Sequence, residues 1–151
     1  MKQKLKKKKK SQFTFSIISS TEKHKCVLIL ISFIYDEKMP EMLEKILALK
    51  LVHQKDEQGR TPLHYAASIG YLEGVQMLLD QSNFDRYQRD DEGFLPIHIA
   101  SMRGYVDIVK ELLQISSDSI ELLSKHGENI LHVAAKYGKD NVVNFVLKKK
   151  A

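Results

Sequence analysis

The chain has 151 residues, a formal net charge of +5 and one cysteine, Cys26. The single cysteine excludes an internal disulfide framework, and the length limits the chain to one domain or a short array. The charge does not indicate a basic domain, because residues 1–38 carry ten lysines against three acidic residues, whereas the other 113 residues carry fourteen basic against sixteen acidic residues, a net charge of −2.

Residues 1–25 begin with the lysine run MKQKLKKKKK. Like charges repel and this composition offers little to bury, so the segment is predicted to be a basic disordered tail. Three functional interpretations stay open for the lysines: nuclear import, contact with nucleic acid, and attraction to an anionic membrane surface.

The tail is followed by an apolar run, CVLILISFIY, at residues 26–35. A helix of this length spans about half of a ~30 Å hydrocarbon core, which argues against a transmembrane helix. No small-residue cleavage site follows in DEKMPEML, which argues against a secretory signal peptide.

Three later segments share one pattern: GRTPLHYAASIG at 59–70, GFLPIHIASMRG at 93–104 and GENILHVAAKYG at 127–138, at an interval of 34 residues. This period indicates a solenoid, in which each unit is too small to bury its own apolar face and stacks on its neighbours. Solenoids use the stacked surface for binding, so the pattern favours a binding protein over an enzyme.

The first helix of each unit is predicted to start at a recurring position. Thr61 can accept an early backbone N–H bond, and Pro62 suits the first helical position because it has no N–H to lose. Leu95 takes the threonine position in the second unit, which therefore lacks a side-chain cap, although Pro96 remains. Asn129 is a suitable cap in the third unit.

Small residues and glycines recur within and after these helices. Alanine allows close approach of a neighbouring helix, so we expect Ala66, Ala100 and Ala134 at the tightest contacts. The closing glycines can end the helices in a left-handed conformation; these are Gly70, Gly104 and Gly138.

A second helix is predicted after each glycine, with an apolar stripe facing the core. The stripe comprises Val75, Leu78, Leu79, Val109, Leu112, Leu113, Val143, Val146 and Leu147. The polar connections QSNFDRYQRDDEG and ISSDSIELLSKHGE are predicted to form projecting turns or short hairpins.

TPLHYAASIG closely resembles the ankyrin repeat signature, and PIHIASMRG and ILHVAAKYG resemble it in part. The resemblance implies an all-α ankyrin-repeat solenoid of stacked helix-turn-helix units with projecting loops or hairpins. The implied units are 59–92, 93–126 and a truncated 127–151. Residues 26–58 are interpreted as a degenerate or partial repeat, because PEMLEKILALK is similar to a second helix.

ILHVAAKYG and DEQGRTPLHYAASIGY are also similar to plant ankyrin proteins whose arrays precede a PGG-type membrane domain and act in stress and defence signalling. This resemblance implies a fragment of a signalling or scaffold protein, located in the cytoplasm or at the cytosolic face of a membrane in a longer parent. Val142 and Phe145 are accordingly expected to lack a covering repeat.

No catalytic, metal or cofactor-binding residue is predicted. Equivalent positions of stacked helices lie roughly 8–10 Å apart, too far for three histidines to share one zinc ion. Cys26 lies outside the repeats, so it is not predicted to be a catalytic nucleophile. The glycines recur at the repeat interval and do not form a phosphate-binding loop. The resemblance implies structural roles for Thr61, Pro62, His64, Gly70, Pro96, His98, Gly104, His132 and Gly138.

The resemblance also implies a protein partner, bound at the loop tips and the exposed side of the first helices. Four of these residues are of types that dominate interface energies: Phe94, Met102, Arg103 and Tyr137. The full set is Glu57, Gln58, Arg60, Ser68, Ile69, Asp91, Glu92, Phe94, Met102, Arg103, Lys125, His126, Glu128, Lys136 and Tyr137. The alternative is binding of nucleic acid or an anionic membrane through the lysine run.

Overall fold

The computed structural model describes residues 51–114 and 117–151. The predicted disordered tail at 1–25, the apolar run at 26–35 and most of the partial repeat at 26–58 lie outside the described residues. Those three interpretations therefore stay predictions.

Six α-helices make up most of the described chain: α1 (Pro62–Ile69), α2 (Leu72–Gln81), α3 (Pro96–Arg103), α4 (Val106–Gln114), α5 (Ile130–Lys136) and α6 (Asp140–Lys150). Short 3-10 turns cover Leu51–His53, Asn83–Tyr87 and Ser117–Ile120. Neither described range contains a strand. Across these same ranges, none of the helices combines the length and apolar character needed to cross a membrane.

The helices stack in two layers. The first helices α1, α3 and α5 contact one another in order, and so do the second helices α2, α4 and α6, while the two helices of each unit pack together. One apolar cluster runs through all three units, from Val52 to Val146. The prediction of an all-α repeat solenoid is confirmed.

The predicted close contacts between first helices are also present. Ala66, Ala100 and Ala134 are all buried, which is consistent with small side chains letting the helices of adjacent units approach. Gly70 and Gly104 end α1 and α3 with φ angles of 79° and 84°, the left-handed conformation expected of them.

The helix starts differ in detail from the prediction. The hydroxyl of Thr61 lies 2.9 Å from Nδ1 of His64 and makes no hydrogen bond to a helical N–H. Asn129 does act as a side-chain cap, because its Oδ1 accepts the N–H of His132 at 3.0 Å. Leu95 has no polar side chain to offer, as expected, but its own backbone N–H is bonded to Nδ1 of His98 at 3.1 Å.

Val142 and Phe145 are covered without a following repeat. Val142 is fully buried and Phe145 is half-buried, with the ammonium of Lys110 placed 5.6 Å from the centre of its ring. Helical spacing turns Val142 and Val146 towards the main core. Leu147, which was predicted to belong to the core-facing stripe, is instead an exposed apolar residue.

Candidate partner-binding face

The loop before each first helix closes into a tight turn whose two outermost residues form what we call a tip: residues 57–58, 91–92 and 125–126. In each turn a backbone hydrogen bond of 2.8–3.0 Å joins the residue before the tip to the residue after the glycine. The donors and acceptors are Asp56 N–H to Arg60 O, Asp90 N–H to Phe94 O, and Ser124 N–H to Glu128 O.

Polar side chains hold the turns from within. Oδ1 of Asp56 accepts the backbone N–H groups of Gln58 at 2.9 Å and Arg60 at 2.7 Å. The hydroxyl of Ser124 does the same for the third tip, at 3.2 and 3.3 Å. Neither residue was predicted to act here, although both follow a pattern in the sequence: each lies three residues before the opening glycine of its unit.

The first tip is tied to its helix through Tyr65 of α1, whose hydroxyl donates to Oδ2 of Asp56. Burial, reinforced by this hydrogen bond to a carboxylate, raises the pKa of Tyr65 to about 12. The carboxylate of Asp56 thus fixes both the turn and its orientation on α1.

Adjacent tips are bonded directly to each other. The backbone N–H of Asp91 donates to the carbonyl of Gln58 at 2.9 Å. The ammonium of Lys125 donates to the carbonyl of Asp91 at 3.1 Å. The order of the three tips is therefore fixed by one backbone hydrogen bond and one hydrogen bond from a side chain to the backbone.

Below the tips, two cations join residues 34 positions apart. Lys55 donates to the carbonyl of Arg89 at 2.9 Å, and Arg89 donates to the carbonyl of Leu123 at 2.6 Å. Because the acceptors are backbone oxygens, these contacts hold the loops together without depending on the side chains of the next unit.

The glycine that follows the second tip, Gly93, leaves room for the third. Its φ is 79°, and a Cβ atom placed on it would lie 2.4 Å from Cβ of Lys125. Gly59 similarly faces Asp91, whereas a Cβ on Gly127 would meet nothing within 4 Å among the described residues. Position 93 therefore requires glycine for two reasons: the backbone is left-handed, and a side chain would collide with the third tip.

The recurring histidine bonds locally and also bridges to the next unit. Nδ1 of His64 accepts the backbone N–H of Thr61 at 3.1 Å, and Nε2 lies 3.1 Å from the carbonyl of Phe94. A carbonyl can only accept, so Nε2 carries the proton and the ring is neutral. Burial lowers the pKa of His64 to about 4, in agreement with this neutral form.

His98 repeats the arrangement, with Nε2 at 3.0 Å from the carbonyl of Leu122, and burial lowers its pKa as well. His132 accepts the N–H of Asn129 at 3.3 Å, but its ring is exposed, and none of the described residues accepts from its Nε2. The described residues contain no group of three or more metal-ligating side chains able to hold an ion.

A buried ion pair lies beneath the first two tips. Nε of Arg60 is 3.5 Å from Oδ2 of Asp90, and the Asp90 side chain is only 1% exposed. The pair lacks hydrogen-bond geometry, but the other oxygen of Asp90 accepts the N–H of Phe94 at 2.8 Å. Arg60 therefore balances a buried charge.

The structure places most of the predicted partner-binding residues at the surface. The exposed members are Glu57, Gln58, Asp91, Glu92, Arg103, Lys125, His126, Lys136 and Tyr137. The half-buried members are Arg60, Ser68, Ile69, Met102 and Glu128. We call the exposed tips together with the ends of the first helices the tip face.

Phe94 is the exception, and its proposed place on the surface is wrong. Its side chain is 8% exposed and packs with Ile99, Val133 and Met102 in a small second core. The ring also lies 6.1 Å from that of His126, between centroids. An apolar ring at the base of a tip gains more from burial than from solvent, so it turns inward and supports the third tip.

Charge is unevenly distributed among the tips. Glu57 in the first tip and Asp91 and Glu92 in the second are acidic, whereas the third tip carries Lys125 and His126. The exposed tips therefore present both signs of charge.

An ion pair crosses from the third loop to α5. Lys136 donates to Oε1 of Glu128 at 2.8 Å. This hydrogen bond holds the pKa of the Glu128 carboxyl below its usual range. Lys136 and Glu128 therefore largely neutralise each other, and the charge of the third tip comes from the tip residues themselves.

A family model described as ankyrin repeats (3 copies) matches residues 3–90 and 82–151. The two matches together span nearly the whole chain, and they agree with the stacked helix pairs and the recurring His and Gly residues. They concern the repeat itself and do not distinguish a plant subgroup. No curated protein matches the chain.

Proposed function

Because the chain belongs to the ankyrin repeat family, we propose that it is a non-catalytic module that binds another protein through the tip face. Ankyrin repeats generally mediate protein–protein interaction and are typically non-catalytic. The observation that carries the proposal is the tip face itself, where three turns held in a fixed order expose their outermost side chains.

The tip face also has suitable anchors for a partner. Arg103 is exposed, Tyr137 is 48% exposed, and Met102 is half-buried beside them. Arginine and tyrosine are enriched among residues that dominate binding energy. The hydrogen bonds between tips reduce the entropy cost of binding, because the loops are already held in place.

We extend the proposal to the cellular role suggested by the sequence. The module would serve in a signalling or scaffold protein, acting in the cytoplasm or at the cytosolic face of a membrane as part of a longer parent. The similarity of ILHVAAKYG to the repeats of plant defence proteins supports this role, and finding further repeats encoded next to this sequence would test it.

The binding proposal is tested by capture of a partner with the full chain and with a variant, Arg103→Ala plus Tyr137→Ala. We expect the variant to bind about tenfold or more weakly, because truncating one hot-spot residue costs about 2 kcal/mol or more. A matched control, Tyr87→Ala plus Lys148→Ala, also removes one tyrosine and one cation, both outside the tip face.

Equal binding by the full chain, the variant and the control would contradict the proposal. A circular dichroism melt of all three proteins separates lost binding from lost folding.

The second candidate is a nucleic-acid or anionic-membrane binder acting through the lysine run, which carries seven lysines in its first ten residues. Binding of this kind weakens steeply with salt, with a slope near −0.7 to −0.9 per phosphate contact. Deleting residues 1–25 should abolish it. Capture of a protein partner that survives the deletion would favour the tip face.

A further inference from the structure

We propose that the tip face selects a protein segment by the order of its charged residues. The basic residues of the segment would contact the first two tips, and an acidic residue would contact the third. This inference rests on the proposed function and specifies the chemistry of the partner. It follows from the side chains on the tips, the bonds that order them and the apolar residues beside them.

The charge of each tip differs from that of the next. The first tip carries Glu57, the second carries Asp91 and Glu92, and the third carries Lys125 and His126. All five side chains are exposed. The sign of charge therefore reverses between the second tip and the third.

The order of the two acidic tips and the basic tip along the surface is fixed. The bonds from Asp91 to Gln58 and from Lys125 to Asp91 stack the tips in chain order. Stacked helices lie roughly 8–10 Å apart, and an extended segment rises about 3.3 Å per residue. A bound extended segment would thus pass one tip about every three residues, and its basic and acidic residues would be about three to six positions apart.

The partner segment would also carry an apolar side chain between its basic and acidic residues. Ile69 and Met102 are half-buried and Tyr137 is exposed at the ends of the first helices. Electrostatic complementarity mainly provides specificity, and like charges that face each other disfavour binding. A partner in the reverse direction would place acidic residues against Asp91 and Glu92.

Nucleic acid fits the tip face poorly. Three of the six tip side chains are carboxylates, and a uniformly anionic partner would face them on two of the three tips. A protein segment can carry both signs of charge, as the tips do, and we therefore commit to a protein segment.

The test is a selection of 12-residue peptides from a random displayed library on the immobilised full chain. We expect the enriched peptides to share a basic cluster and an acidic residue three to six positions apart, in one constant order around an apolar residue. Enriched peptides with no constant order of charge would overturn the inference.

A variant that copies the third tip into the second sharpens the test. Asp91→Lys plus Glu92→His uses side chains that the same turn already carries at Lys125 and His126, so the backbone can accept them. We expect the selected peptides to bind this variant at least tenfold more weakly, with a smaller loss at higher salt because ions screen exposed charges.

The matched control is Asp80→Lys plus Glu73→His, which makes the same change of charge on two exposed residues of α2. An equal loss in the variant and the control would mean that only net charge matters, and would overturn the inference. Peptides that keep their affinity after Arg103→Ala plus Tyr137→Ala, or no enriched peptides at all, would instead contradict the proposed function.

Discussion

The third unit has the same sequence pattern as the first two but a different environment. Leu79 and Leu113 are 4% and 1% exposed, whereas Leu147, at the same place in the repeat, is 49% exposed. His64 and His98 are buried and bonded to the next loop, whereas the ring of His132 is exposed.

This difference shows that the burial of a residue depends on the adjacent repeat unit as much as on the residue itself. Each unit provides one apolar face, and the following unit covers it. The repeat pattern therefore encodes which residues share a face, and stacking decides how much each contributes to stability. Equivalent substitutions in the second and third units should have unequal effects.

The largest contrast is expected for leucine. Leu113→Ala should lower the free energy of unfolding by about 2–5 kcal/mol, because it removes a buried side chain and leaves a cavity. Leu147→Ala should cost much less, about 1 kcal/mol or below, because half of that side chain is already in solvent. Urea unfolding of both variants measures the difference, and equal losses would contradict the stacking account.

A second contrast concerns the glycines behind the tips. Gly93→Ala and Gly127→Ala should each cost about 1–2 kcal/mol for the left-handed backbone. Gly93→Ala should cost about 1–3 kcal/mol more, because its Cβ would collide with Lys125. Thermal unfolding of the two variants checks this, and a Gly127→Ala variant as unstable as Gly93→Ala would show that tip stacking adds nothing.

The third contrast is in pH dependence. The pKa of His64 falls from 6.5 to about 4 on folding, so between these values the unfolded chain binds more protons and stability falls as the pH falls. Between pH 7 and pH 5 this residue should account for about 2 kcal/mol of lost stability.

The pH contrast is measured by urea unfolding at the two pH values. His64→Gln should reduce the loss of stability on acidification, and the same change at the exposed His132 is the control. An equal reduction in both variants would show that the loss does not come from burial of His64.

Much of the fold is predictable because the repeat period reports helix pairs directly. The starts at Pro62 and Pro96 and the buried alanines follow from local rules that stacking does not override. The orientation of α6 was not predictable, because two stripes of the helix are apolar and only packing decides that Val142 faces the core and Leu147 does not.

The candidate site was predictable in position but not in every side chain. Arg60, Phe94 and Glu128 occupy equivalent positions of the repeat but have different environments. Arg60 pairs with the buried Asp90, Phe94 enters a small core, and Glu128 pairs with Lys136 near the surface. The hydrogen bond from His64 to Phe94 could not be predicted from the sequence, because its acceptor is a backbone carbonyl that any residue provides.

Hydrogen exchange of the full chain, with and without its captured partner, tests the central claim most directly. If the tip face binds the partner, amide protection should increase at 57–58, 91–92 and 125–126 and at the ends of α1, α3 and α5. The second helices should be unchanged. Protection confined to residues 1–50 or to α2, α4 and α6 would contradict the account.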